Sequence, residues 1–179
     1  MQEKHNALEK VAEATFYLKL MDQLELKKKP LTDDFDFDFD FDFDFDFQTE
    51  YTYLLSGFLN ACYSACEFLK QNKSYKETVK KFVYENSFFY SSGPNGGLRT
   101  VSTHFRPVKP SVLGYIPPPA NNVILRFREK QESIDPHNIV LDFDLGSSFY
   151  LDDTAPQNPL NDKCAEHLTC LKKLIEEIK

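Results

Sequence analysis

The sequence predicts a mainly α protein: an antiparallel four-helix bundle with a small antiparallel β insertion before the last helix. Three observations predict it. Apolar residues recur at steps of three and four in three long segments. Runs rich in β-branched and aromatic residues, VILRFRE (123–129) and NIVLDFDL (138–145), cluster between the third helical segment and the last one. A chain of 179 residues suits one domain with its own core, so 1–179 is read as a single domain.

The first helix is expected over 3–28, where Ala7, Val11, Ala14, Leu18 and Met21 form one stripe. Pro30 helps to end it, after lysines that suit the negative end of a helix dipole. A second helix is expected over 49–71, with Leu55, Phe58, Cys62, Ala65 and Leu69 on one face and Gly57, Ala61 and Ala65 allowing a close neighbour. A third, less regular helix is expected over 74–90, with Ser74 and Glu77 spaced as a capping box and Val79, Phe82, Asn86 and Phe89 marking its face. SSGPNGG (91–97) is a loop by composition, and LRTVSTHF can form a short helical piece before Pro107. The β insertion is expected over 123–151, with SFYL (148–151) as a third short strand. Residues 160–178 give the last helix, with Cys164, Leu168, Leu171, Leu174, Ile175 and Ile178 apolar.

Between the first two helices, residues 34–47 are seven Asp-Phe pairs. As a strand they would separate Phe and Asp onto opposite faces over roughly 46 Å, far beyond a usual strand. Same-face Asp would lie about 6.6 Å apart, inside a Debye length of about 8 Å, and repel. As a helix they would scatter Phe around every face and rely on Asp, a poor helix former. The repeat is read as a lengthened connection, with an adhesive strand or a cation site as weaker alternatives. Its seven Asp account for the whole formal charge of −7.

The remaining charge is unevenly spread. No Asp or Glu occurs from Asn86 to Arg128, while Arg99, Arg106, Lys109, Arg126 and Arg128 all do. Such a segment attracts an anion such as phosphate or nucleic acid; the alternative is a solvated loop whose acidic neighbours come from elsewhere in the fold. No amino-terminal signal core and no membrane-length apolar run is seen, so a cytoplasmic protein is expected, with no membrane partner. Cys62 and Cys66 fall on one helical face as apolar fillers, and a metal site combining the thiols with His5 or His167 is the lesser alternative. No metal and no cofactor is expected. His137 and His167 are read as solvated.

LRTVSTHFRP (98–107) carries the chemistry. Histidine can take and give a proton near neutral pH. Arginine suits a phosphate or the charge that builds on a phosphorane. Arg99 and His104 are thus the minimum kit for metal-free RNA cleavage to a cyclic phosphate. An Arg, four to six residues and a His late in a four-helix bundle is the mark of HEPN-domain proteins, and this stretch resembles it. YTYLLSGFLNACYSACEFL (51–69) resembles the tyrosine-containing, small-residue helix of a group of uncharacterised HEPN-like bacterial proteins. LRTVSTHFRPVKP (98–110) is similar to their Arg-to-His segment, and FYLDD with NDKCAEHLTCLKKLIEEI (161–178) to their closing region.

The resemblance implies a helical bundle, often dimeric, with Arg-His motifs meeting across the interface. Many members are endoribonucleases of toxin–antitoxin, CRISPR or phage-defence systems; others bind nucleotides or have no known activity. Only Arg99 and His104 carry over by motif, and Thr100 stands where the family often has Asn. The expected partners are RNA or a nucleotide, an antitoxin-like protein and a second copy of the chain. Arg106, Lys109, Arg126 and Arg128 are expected to hold a nucleic-acid backbone. On an ideal helix Arg99 and His104 are roughly 140° apart, so they are expected to meet where the helix unwinds before Pro107 or across a dimer. Glu67 is read as solvent-facing, with a place opposite Arg99 as the alternative. The contrasting expectation is a non-enzymatic interaction module using the bundle surface to bind a protein.

Overall fold

The helical spacing in the first 27 residues leaves one apolar stripe that must be covered. Helix α1 (Gln2–Lys27) buries Ala7, Val11, Ala14, Leu18, Met21 and Leu24. Their steps of four and three keep them on one side of the cylinder. The computed structural model describes residues 2–27, 29–31, 47–106, 108, 110 and 159–178. The β insertion expected at 123–151, residues 34–46 of the repeat, and the expected backbone contacts Lys109, Arg126 and Arg128 lie outside the described residues. Among the described residues the chain is mainly helical and has no strand.

Helix α2 (Phe47–Lys70) is the central element. It packs most extensively on α1 and also meets the helices that follow it. Tyr51, Leu55, Phe58, Leu59, Cys62, Ala65, Cys66 and Leu69 are all buried. At about 100° per residue they fill an arc of roughly 160° with Ala61 at its edge. The small residues do what their spacing predicts. The Tyr17 ring of α1 lies so close over Gly57 that a Cβ there would stand 2.7 Å from Tyr17 Cζ. Cys62 and Cys66 are apolar filling, and burial pushes both thiols up, Cys66 to about 12.

Helix α6 (Leu160–Glu177) also packs on α1. One buried amide ties three helices together. The Tyr51 hydroxyl donates to Asn161 Oδ1 at 2.6 Å, and Asn161 Nδ2 donates to Asp22 Oδ1 at 2.9 Å. Burial raises the Asp22 carboxyl, with the Asn161 bond opposing and Asp162 adding to the rise.

The segment expected as one helix over 74–90 is two: α3 (Lys76–Glu85) and α4 (Ser87–Tyr90). Asn86 leaves helical geometry at φ −98 and ψ 45. Its backbone N–H and its side-chain Nδ2 both donate to the Phe82 carbonyl, at 3.0 and 2.8 Å, and close the end of α3. The expected capping box does not form. Tyr75 is the N-cap without a side-chain bond, and the Ser74 amide donates to Asn72 Oδ1 at 3.0 Å in a turn of its own. Glu77 is drawn instead to Lys80 at 2.8 Å.

The loop before α5 (Leu98–His104) is a tight turn. Gly93 sits at φ 101, a region that favours glycine, and Gly96 N–H donates to its carbonyl at 3.0 Å across Pro94 and Asn95. Gly97 N–H donates to the Ser91 carbonyl at 2.8 Å. A Cβ on Gly97 would collide with the backbone of Phe89 and Tyr90. That absence of a side chain brings the start of α5 against α4. Gly97→Ala should therefore lower stability by about 1–3 kcal/mol and displace α5, measurable as a lower urea midpoint and earlier amide exchange at Val101.

Candidate functional site between α2 and α5

The surface of α2 that avoids the core is polar at helical spacing: Ser56, Asn60, Tyr63, Glu67 and Lys70, within an arc of about 80°. Helix α5 lies along this stripe. Ser102 Oγ donates to Ser56 Oγ at 3.3 Å, and Thr103 Oγ1 to Asn60 Oδ1 at 3.4 Å. Arg99, one turn earlier on α5, meets Tyr63, further along α2. The two helices thus run in opposite senses. Beyond α5, Gln48 Nε2 donates to the Pro110 carbonyl at 2.6 Å, which fixes the departing chain near the start of α2.

The Arg99 guanidinium carbon stands 4.0 Å from the Tyr63 ring centroid, within range of a cation–π attraction. Its Nε is buried there without a hydrogen-bond partner, the one such side-chain atom among the described residues. Arg99 Nη1 reaches His104 Nε2 at 3.4 Å. A guanidinium only donates, so this contact requires Nε2 to accept, with the imidazole proton on Nδ1. The meeting happens within α5, without the unwinding or dimer that the helical angle led one to expect. The Arg side chain is long enough to span the gap, and His104 is the last residue of the helix. Phe105 and Arg106 N–H groups both donate to the Val101 carbonyl, at 3.1 and 3.0 Å, and close the end of the helix. His104, Phe105 and Arg106 are exposed.

Glu67 takes the place opposite Arg99. Lys70 Nζ donates to its Oε1 at 2.7 Å, and Tyr63 hydrogen-bonds it as well. Partial burial raises the Glu67 carboxyl, but the bonds from Lys70 and Tyr63 and the charges of Lys70 and Arg99 outweigh it and leave it below its usual range. Burial pushes the Tyr63 hydroxyl up, and the bond to Glu67 and its charge add to this. Lys70 lies 5.6 Å from the same ring. The acid-free segment thus gains an acidic neighbour from another helix. Glu67 remains 46% exposed, whereas Lys70 is 21% exposed.

Sequence reasoning singled out Arg99, His104 and Arg106 and missed Ser56, Asn60, Tyr63 and Lys70. The signal was present as a polar stripe complementary to the apolar one. Among the described residues no group of three or more His, Cys, Asp or Glu is placed to hold a metal, and no helix is long and apolar enough to cross a membrane. A shallow cavity of about 200 Å³ lined by Ser74, Tyr75, Thr78, Glu177 and Ile178 shares no residue with the seam.

His167, expected in solvent, is 3% exposed. Its ring stacks on Phe89 at 4.2 Å between centroids. The Tyr90 hydroxyl lies 2.6 Å from Nε2, and Asn86 Oδ1 3.2 Å from Nδ1. Asn86 Nδ2 already donates to Phe82, so its Oδ1 accepts from Nδ1–H and Tyr90 donates to Nε2. Tyr63 and Tyr90 rings stand 5.9 Å apart, so this neutral network backs the seam. Comparison with protein-family models, with curated proteins and with solved structures finds no match.

Burial holds His167 at about 4, against 6.5 when unfolded. The unfolded chain takes up this proton below 6.5 and the folded one only near 4. The stabilisation is therefore complete above 6.5 and is lost as pH falls toward 4, by roughly 3 kcal/mol in all. Urea unfolding across that window should show a steeper loss for the wild type than for His167→Gln.

Proposed function

We propose that this chain is a metal-independent, RNA-cleaving or RNA-binding protein of a bacterial toxin or defence type, on a HEPN-like four-helix bundle. In this reading α1, α2, the α3–α4 unit and α6 are the four helices, and the protein acts as a homodimer restrained by an antitoxin-like partner. The observation that carries it is the 3.4 Å contact between the Arg99 guanidinium and the His104 imidazole, with His104 exposed at the end of α5.

A phosphodiester seated on Arg99 has its non-bridging oxygens beside the guanidinium donors. Attack by the neighbouring 2′-oxygen places added negative charge on those oxygens, which Arg99 stabilises. His104 exchanges the proton that this substitution requires. The 5′-oxygen leaves and a 2′,3′-cyclic phosphate remains. Arg106 is exposed beside the site and, with Lys109, Arg126 and Arg128, holds the flanking backbone. Phe105, 53% exposed, offers a face on which an unpaired base can stack.

The second reading, a non-enzymatic interaction module, draws on the large apolar side chains that α1 leaves in solvent: Leu8 at 47%, Phe16 at 57% and Leu26 at 66%.

RNA incubated with the purified protein in EDTA should be cut to fragments with 2′,3′-cyclic ends. Arg99→Ala and His104→Ala should each slow this by about 100-fold or more. No cleavage by the wild type, together with equal RNA affinity in all three proteins, would move the assignment to the interaction module.

A further inference from the structure

Transphosphorylation needs two proton transfers. One proton leaves the 2′-hydroxyl, and one must reach the 5′-oxygen as it departs. A single imidazole on one protomer serves one of these at a time. We propose that Glu67 is the general base that takes the 2′-hydroxyl proton, and that His104 is the general acid that protonates the 5′-oxygen. This rests on the ribonuclease reading above and assigns the second catalytic residue of the same site.

The arrangement follows from the antiparallel docking of α5 on α2. Thr103, next to His104, is bonded to Asn60. Arg99 lies over Tyr63. Glu67 follows one turn further along α2, about 10 Å of helix axis beyond Asn60. Arg99 therefore stands between Glu67 and His104. In-line displacement at phosphorus requires the base and the acid on opposite sides, and a phosphate on Arg99 has one group on each.

The groups that face Glu67 are Tyr63 and Lys70 from its own helix and Arg99 from α5. Together they hold the carboxyl below its usual range, so it takes the proton only as the 2′-oxygen bonds to phosphorus. A carboxylate has about four lone-pair sites. Lys70 and Tyr63 use two, and the half-exposed side chain leaves room for a 2′-hydroxyl. A phosphate seated on Arg99 takes the place of the contact between Arg99 and His104 and gives the acid its target.

In the balanced step the 2′-O–H bond breaks and its proton passes to Glu67. The 2′-oxygen bonds to phosphorus, the bond from phosphorus to the 5′-oxygen breaks, and the His104 proton passes to that oxygen. Water then restores the proton inventory, as solvent takes the proton from Glu67 and returns one to His104.

The test uses the full chain and an oligonucleotide with one ribose followed by a 5′-bridging sulfur. A thiolate leaves without a general acid. On this substrate His104→Ala should recover to within about tenfold of the wild type, while Glu67→Gln stays slower by about 100-fold or more. Between about pH 6 and 8 the wild type should be nearly flat on the sulfur substrate, while Glu67→Gln should rise about tenfold per pH unit as hydroxide replaces the missing base. A constant deficit across pH would make Glu67 a positioning residue and overturn its role as base. Recovery of Glu67→Gln instead of His104→Ala would reverse the roles and overturn the assignment. Glu67→Gln cleaving the oxygen substrate as fast as wild type would overturn it too, yet leave the ribonuclease reading standing. Wild type inert on both substrates would overturn that reading and this one with it. Circular dichroism of each variant verifies the fold.

Discussion

Helix α2 has to satisfy two environments on one cylinder, and the rest of the structure depends on that constraint. Its apolar arc is covered mainly by α1, and its remaining face carries Ser56, Asn60, Tyr63, Glu67 and Lys70. A polar stripe beside a core can be covered only by something that returns its hydrogen bonds. Helix α5 does so with two hydroxyls and a guanidinium. At seven residues it is too short to persist alone in water. Burial of Leu98 and Val101 and the backbone approach at Gly97 hold it in place. The catalytic candidates therefore sit on an element whose order comes from tertiary contact rather than helical propensity.

The balance of charge in the seam decides whether Arg99 can receive a ligand. An arginine locked in a bidentate pair with a carboxylate would be spent. Here Glu67 is engaged by Lys70 and Tyr63, and Arg99 rests on the Tyr63 ring. The guanidinium lies 4.0 Å from the ring centroid, and its Nε is buried without a hydrogen-bond partner. An unpartnered buried N–H costs free energy, so the position is held by the surrounding packing. The long contact to His104 is weak in the free protein, because 3.4 Å lies at the edge of useful hydrogen bonding. A weak internal contact leaves the guanidinium free to change partners.

The long helices were legible because burial imposes a period. Ala7 to Met21, Leu55 to Leu69 and Cys164 to Ile178 are read directly from steps of three and four, and the structure buries them. The break at Asn86 was not legible, because the residue fits the apolar face of a continuous helix and its side-chain bonds to Phe82 and His167 exist only in the folded chain. Ser74 and Glu77 had the spacing of a capping box, yet Asn72 two residues earlier captured the Ser74 amide. For the site, one-dimensional reasoning treated Arg99 and His104 as points on a wheel. The length of the arginine side chain is what the wheel leaves out. Glu67 was visible as an alternative, but only the docking of α5 shows which side of α2 it occupies.

His167 shows the same difficulty from the other direction. A histidine on an otherwise amphipathic last helix reads as solvated, since polar residues there face water in most cases. Its position instead demands two hydrogen bonds of opposite sense, donated at Nδ1 to Asn86 and accepted at Nε2 from Tyr90. A phenylalanine could fill the space beside Phe82 and Phe89 but would take away the imidazole bonds to the Asn86 oxygen and the Tyr90 hydroxyl, leaving that hydroxyl only the Cys66 thiol. A neutral imidazole is the side chain that is flat, aromatic and two-ended at once. Asn86 ends α3 and bonds this ring, so the break between α3 and α4 and the buried histidine are one feature. Tyr90, oriented by His167, lies against Tyr63, which carries Arg99. The buried network thereby sets the wall against which the guanidinium is held.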